Sequence, residues 1–475
     1  MESGGVQIYH GEILKDYVEN ALKGITKERF LLKQLHQYVE GPNNRKVCCL
    51  YGLRETGKKT MMLQELAHID DYDKCLLLKC EEGCLVMQLR RGIEAYPDCR
   101  YIFIEEAVKA TDFIDTASVL ADCYAAEGKK IILTGTESLG FFIARQDELF
   151  DRVHFIHTSY IPFREQYELL ETGIMDYIRY GGTLPAQNPF RCQETAEAYC
   201  EAAIVQNIVH SFKKWHYRRY NRGLDRLARN GELSAAVRKV LREKSRCFLE
   251  NITSDGAAVQ KDDGEERTGE ILLPETSSDE QQIIDYLKKL DVLYEFQNLD
   301  YTSNDLLIQP GLRYRQVCEI TPDRQPEICE HILKEVVLYQ MIQTAKAISD
   351  KILVSKYGSG VSSGGFDVFA ADLKGRASFI LEVTLSDEAA LCQTKNLTDP
   401  DICRIFEHET GTPIRNKIVL YRGKSIFNPF RADDQEKLLQ YINIEEFLMH
   451  PEEMLQTLLG SRILEQKQFN SLIGQ

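Results

Sequence analysis

Four short apolar runs constrain this chain more than any other feature. They are KVCCLYG (46–52), CLLLKC (75–80), RYIFIEEA (100–107) and KKIILTGTES (129–138). Each is nearly continuous in apolar residues rather than alternating, the pattern of strands buried on both faces. Stretches of helical spacing intervene, TMMLQELAHI after the first run and TDFIDTASVLADCYAAEG after the third. Strands alternating with helices predict an α/β fold with a mainly parallel sheet covered on both sides.

The turn after the first run reads YGLRETGKKT (51–60). A loop of this kind wraps phosphate in backbone N–H groups and a helix N-terminus. Gly52 and Gly57 permit the tight path, and Lys58 reaches the outer phosphates. The position that normally supplies a Mg²⁺-binding hydroxyl is Lys59, and Thr60 comes one residue late, rotated by about 100° on the helix. The expected nucleotide contacts are Gly52, Arg54, Gly57, Lys58, Lys59, Thr60 and Thr134, with ATP as the ligand.

The third run ends in two acids. Glu105 takes the metal-side position and Glu106 the water-activating, catalytic one. The fourth run ends in Thr134 and Thr136, either of which can sense a γ-phosphate. Lys59 brings positive charge to the place of Mg²⁺ but cannot coordinate it. Phosphoryl transfer depends on a positioned metal, so ATP binding is expected to outlast ATP hydrolysis.

A chain of 475 residues, 43% hydrophobic and 28% charged, suits a globular protein of several domains. It has no apolar run long enough to span a bilayer and no signal-like opening, so a cytoplasmic protein without a membrane partner is expected. Cys75, Cys80 and Cys84 form no CxxC pair and read as buried free thiols. The net charge is −15, but residues 213–246 carry twelve Lys or Arg against three acids. This segment interleaves Trp215, Tyr217 and Tyr220 with basic residues, a pattern open to nucleic-acid contact or to helix packing. Residues 251–282 carry nine acids against two basic residues, as a flexible acidic segment does.

Five segments follow. Residues 1–185 form a P-loop domain opened by an amphipathic stretch (19–41); 186–250 are helical; 251–277 are an acidic linker. Residues 278–325 are a winged-helix-like unit, a helix running into a hairpin. Residues 326–475 are a second α/β unit, with a helix (328–348) before strands KILVSKYG, GFDVFAAD, ASFILEVTL and NKIVLYR.

YGLRETGKKTMMLQE, YIFIEEAVKATDFID, IILTGTESLGFFIA, ELFDR, HTSYIPFREQYELL and DYIRYGGTLP occur in the order of motifs in prokaryotic AAA-like P-loop ATPases. Those ATPases carry a C-terminal domain of unknown function related to the restriction-endonuclease, PD-(D/E)XK fold. The resemblance covers nearly the whole chain and is weakest over 186–277. In that family the loop ends GKT or GKTT and the acidic strand usually carries Asp-Glu, so this chain departs at both places. The resemblance puts a charge-sensing arginine at Arg145 or Arg152.

For the C-terminal unit the resemblance implies a metal-dependent nuclease site. Its acids are Glu335 on the helix, Asp367 on the second strand and Glu382 on the third, with Asp367 and Glu382 as metal ligands. The position of the usual lysine is Thr384, and Lys395 on the next helix is a substitute. Three functions are compatible with these residues. One is an ATP-binding protein whose nucleotide state regulates a nuclease-like domain acting on DNA or a protein partner. The second is a non-catalytic scaffold. The third is a metal-dependent DNA nuclease in defence against mobile DNA. A monomer and an oligomer fit equally.

Overall fold

A computed structural model describes residues 5–42, 45–146, 148–183, 196–215, 222–257, 278–297, 303–307, 309–318, 321–358, 364–374, 377–388, 392, 394–427 and 439–460. Contacts divide the chain into two compact units that interleave along the sequence. The first comprises Met1–Ile161, Thr183–Glu243 and Ile271–Val292; the second comprises Pro162–Gly182, Lys244–Glu270 and Leu293–Gln475.

The first unit is built on six strands: β1 (Val6–His10), β2 (Val47–Tyr51), β3 (Cys75–Cys80), β4 (Tyr101–Glu105), β5 (Lys130–Gly135) and β6 (Val153–His157). Their spatial order is β1-β3-β4-β5-β2-β6. All pairings are parallel except β1 with β3. The strand that feeds the glycine loop, β2, is an inner strand between β5 and β6, and the next strand in sequence lies three places away. Such a change of direction opens a crevice at the carboxyl ends of the strands.

Strand β2 is buried along its whole length. Val47, Cys49 and Tyr51 face one apolar cluster, while Cys48 and Leu50 face the other. The second cluster is completed by helices α1 (Gly11–Ala21), α2 (Leu32–Glu40) and α3 (Lys58–Ala67). Cys75, Cys80 and Cys84 are buried and free of disulfides.

Two strands were not legible. Strands β1 and β6 lie at the sheet edges and are only partly buried, so they lack the apolar run of the inner four. The single amphipathic stretch expected over 19–41 is two helices. The chain leaves α1 at Ala21, and Gly24 adopts φ +82° before α2 begins at Leu32.

The second unit holds a hairpin, β7 (Leu293–Gln297) with β8 (Ser303–Leu307), and a second six-stranded sheet. The sheet strands are β9 (Ile352–Gly358), β10 (Gly365–Asp372), β11 (Ala377–Val383), β12 (Ile414–Tyr421), β13 (Ile426–Phe427) and β14 (Leu439–Asn443). Their order is β13-β14-β12-β11-β10-β9. The first three form an antiparallel meander, and β12 joins β11 in parallel. The helix Gln325–Ile348 precedes them and is buried nearly all round from Val336 to Ile342, as a core helix is. The helix-plus-hairpin expected at 278–325 is divided: helix Ser278–Lys289 belongs to the first unit and the hairpin to the second.

In the basic segment, helix Leu233–Ala257 continues past residue 250. Tyr217 and Tyr220 lie outside the described residues, as does the side chain of Trp215. Several basic side chains are paired within the first unit. Arg226 meets Asp279 at 3.2 Å, Lys239 meets Glu280 at 2.7 Å, and Arg238 meets Glu201 at 2.9 Å. Among the described residues no helix is long and apolar enough to cross a membrane.

Candidate functional site

The loop between β2 and α3 takes the path its glycines allow. Gly52 has φ +149°, and a Cβ there would lie 2.2 Å from the Thr158 carbonyl oxygen. Gly57 has φ +83° and caps α3. Glu55 is also left-handed, at φ +66°, a conformation that costs a non-glycine residue free energy and clusters at functional loops. Side chains from neighbouring strand ends hold the loop. The Ser138 hydroxyl bridges the backbone of Gly52 at 2.8 Å. Thr158 meets the Thr56 hydroxyl at 2.8 Å and donates to the Tyr51 carbonyl at 3.0 Å. The Tyr199 hydroxyl donates to the Arg54 carbonyl.

Lys58 is buried, and its ammonium donates to the carbonyls of Gly52 at 2.9 Å and Leu53 at 2.5 Å. Burial lowers its pKa to about 8, an effect opposed by the charge of Glu106 and reinforced by Arg29. Arg29 is itself buried and donates to the Thr56 carbonyl at 2.5 Å. Two cations thus converge on the carbonyls of one small loop. Nothing in the sequence around Arg29, in the connection between α1 and α2, singled it out.

Lys59 points to the acidic strand. Its Nζ lies 3.0 Å from Glu105 Oε1 and 5.6 Å from the centre of the Tyr17 ring. Burial alone would lower its pKa, but Tyr17 and Glu105 together raise it, so it stays charged. Glu105 is buried, and among the described residues its Oε2 has no hydrogen-bond partner. Thr60, one residue on, is half-buried.

Glu106 adopts φ +58°. Its Oε2 accepts from the backbone N–H of Thr136 at 3.1 Å and from the Thr136 hydroxyl at 2.8 Å, while its N–H points to the Thr134 hydroxyl at 3.4 Å. The strand tips of β4 and β5 therefore bring Glu105, Glu106, Thr134 and Thr136 together. Arg145 lies over the Phe155 ring at 5.2 Å, and Arg152 pairs with Asp122 at 2.7 Å.

The residues fit a nucleotide better than they fit Mg²⁺. The cradle has backbone donors, a helix N-terminus and buried cations, all suited to phosphate. Lys59 already lies against Glu105 Oε1, and a lysine stands where the hydroxyl ligand belongs, so a divalent ion would meet one free carboxylate oxygen and no hydroxyl there.

In the second unit, Val368 pairs with Leu381, so Asp367 and Glu382 come next on adjacent strands. A register shift between Phe366 and Phe369 on the β9 side marks a bulge at Asp367, a device that re-aims a side chain. Asp367 accepts from the Val383 N–H at 2.8 Å and pairs with Lys334 Nζ at 3.0 Å. Burial, then the charge of Asp367, raises the Glu382 pKa to about 8; Lys334 and a hydrogen bond from Asn396 oppose the shift.

The other expected members separate. Glu335 is turned about 100° from Lys334 on the helix and sits, partly buried, 3.8 Å from the buried Arg313. The helix acid that reaches the strand tips is Glu330, which accepts from the Thr384 hydroxyl at 3.0 Å and the Leu385 N–H at 3.1 Å. The lysine at the acid pair is Lys334, one turn on from Glu330. Lys395 only begins a short helix, and its neighbour Asn396 reaches Glu382. The spacing 330/334 was visible in the sequence, but nothing there distinguished it from the 335 register.

Inner strand, phosphate-type loop, acidic strand tip and polar strand tip together define a P-loop nucleotide-binding domain of the ATPase kind. Residues 44–167 match the family described as AAA domain, and this part of the chain is an AAA-like P-loop domain. No curated protein matches the chain. A solved structure, "Structure of Drosophila ORC bound to AT-rich DNA and Cdc6", aligns at 9% identity over 65% of this chain and 96% of that one. Its TM-score is 0.21, a likeness too weak to define a fold.

Proposed function

We propose that the first unit binds ATP and hydrolyses it slowly or not at all, and that its nucleotide state regulates the nuclease-like second unit in acting on DNA or a protein partner. The observation that carries the first half is the Lys59–Glu105 ion pair beside the cradle. It supplies fixed positive charge where turnover needs an exchangeable metal. Support for regulation comes from the chain path. The sequence passes between the units at Ile161/Pro162, Gly182/Thr183, Glu243/Lys244, Glu270/Ile271 and Val292/Leu293, so the two units share several covalent connections.

The antiparallel meander with a parallel fourth strand and the Asp367/Glu382 pair support the restriction-endonuclease-like reading of the second unit. Against cleavage stand Lys334 on Asp367 and the burial that raises the Glu382 pKa and disfavours its charged form. Those two features favour a second reading, a scaffold with two degenerate sites.

Equilibrium binding of labelled ATP tests the proposal, with Lys58→Ala as the control. Saturable binding that weakens about tenfold or more in Lys58→Ala, with phosphate release near background, is the expected result. Absence of binding by the parent protein at millimolar ATP rejects it. Rapid Mg²⁺-dependent phosphate release that disappears in Glu106→Gln rejects the slow-turnover half.

A further inference from the structure

A second cluster of ligand-type side chains lies on the opposite end of α3 from the phosphate loop. Glu65 is in the last turn of that helix, His68 follows it as the cap, and His36 comes from α2. Seven residues separate Lys58 from Glu65, about 10 Å along the helix axis.

The geometry is that of a three-donor cup. His36 Nδ1 is 3.2 Å from Glu65 Oε1, and His68 Nδ1 is 3.9 Å from Glu65 Oε2. The three ligand atoms lie within 4.8 Å of one another. The two rings meet edge to face at 5.7 Å. The Glu65 side chain is 1% exposed, yet among the described residues its Oε2 has no hydrogen-bond partner. A buried carboxylate oxygen left without a partner calls for an explanation. Burial raises the Glu65 pKa, the two imidazoles oppose this, and Glu40 adds to it.

The outer contact is equally specific. His68 Nε2 lies 3.0 Å from Glu28 Oε1. A carboxylate there takes the Nε2–H and leaves the Nδ1 lone pair facing Glu65. Metal-binding histidines are oriented in this way by carboxylates behind them.

We propose that His36, Glu65 and His68 form a binding site for a divalent transition metal of the zinc class, joining α2 to the end of the phosphate-loop helix. Two imidazoles and one carboxylate suit zinc and its neighbours. Magnesium and calcium prefer all-oxygen shells. Both histidine side chains are open to solvent, at 48% and 39% exposed, so water completes the coordination. The alternative, a buried carboxylate held only by two imidazoles, leaves Glu65 Oε2 without a bond. The site is independent of the nucleotide reading.

The full chain, stripped with chelator and dialysed, is titrated with Co²⁺ and then with Zn²⁺ as competitor. The expected result is one equivalent of Co²⁺ showing visible d–d bands without a thiolate charge-transfer band. His36→Gln and His68→Gln should each abolish those bands. Glu28→Gln should weaken Zn²⁺ binding about 10- to 100-fold. Unfolding curves of the metal-free variants that match the parent show that they fold. A readout on the unaltered protein complements these: Zn²⁺ should protect His36 and His68 from diethyl pyrocarbonate, mapped by mass spectrometry. Absence of the bands, bands unchanged in His36→Gln, a thiolate band placing the ion at cysteine, or unprotected His36 and His68 would overturn the proposal.

Discussion

Lys59 Nζ stands 3.0 Å from Glu105 Oε1, and 3.0 Å likewise separates Lys334 Nζ from Asp367 Oδ1 in the other unit. In each unit a lysine ammonium sits against the acid expected to hold a divalent cation. A tethered ammonium neutralises a carboxylate but offers no coordination positions. In both units the pairing places fixed positive charge beside a carboxylate.

Converting the first site back toward metal use tests this directly. The double variant Lys59→Thr with Glu105→Asp supplies the hydroxyl and the shorter acid. Mg²⁺-dependent phosphate release should rise by roughly 10- to 100-fold over the parent. Unchanged turnover, with ATP still bound, would show that the ion pair does not limit hydrolysis.

Nucleotide affinity should depend on pH through Lys58. Burial holds its pKa near 8 in the free protein, and a phosphate beside it raises that value. The bound form thus holds the proton more tightly. Affinity is full below pH 8 and falls as pH rises above it. Calorimetric titration from pH 7 to 9.5 measures the slope. Lys58→Ala should lose about tenfold or more in affinity, a charge-assisted hydrogen bond being worth about 1.5–3 kcal/mol, and should lose the slope with it.

Gly52→Ala should damage both fold and binding. The added methyl would meet the Thr158 carbonyl at 2.2 Å, and the backbone at φ +149° disfavours any side chain. A loss on the order of 2–4 kcal/mol is expected in urea unfolding. A near-neutral result would mean that the loop readily adopts another path.

Glu382 gives the opposite signature to an ordinary surface acid. Its pKa is raised to about 8 in the folded protein, so the native state holds a proton that the unfolded chain has released. Stability should fall as pH rises from the ordinary carboxyl range toward 8. Glu382→Gln should flatten this profile and gain on the order of 2 kcal/mol above pH 8. Denaturant midpoints at pH 5, 7 and 8.5 provide the check. The gain should be absent at pH 5.

Sequence reading went furthest where burial is symmetric. The inner strands β2 to β5 are covered on both faces and are nearly continuous in apolar residues, so these strands and the loop at Gly52–Lys58 were visible. The acids and threonines at the tips of β4 and β5 followed, because a parallel strand fixes which end carries the loop. Edge strands β1 and β6 were not visible, since half-exposed positions take polar residues. In the second unit, Asp367 and Glu382 were legible as neighbours because antiparallel pairing of consecutive strands sets their register.

What only the tertiary structure decided is where the long side chains go. The sequence alone determined a phosphate-type loop, a lysine in place of its hydroxyl and an acidic strand tip. It could not show that Lys59 reaches Glu105, that Glu106 turns onto Thr136, or that Lys334 rather than Lys395 meets Asp367. It gave no sign that Arg29 enters the cradle, or that His36 meets Glu65 and His68. Those contacts join residues distant in sequence, and on a helix a shift of one residue turns a side chain by about 100°. Local pattern specifies the elements; packing of the elements chooses the partners.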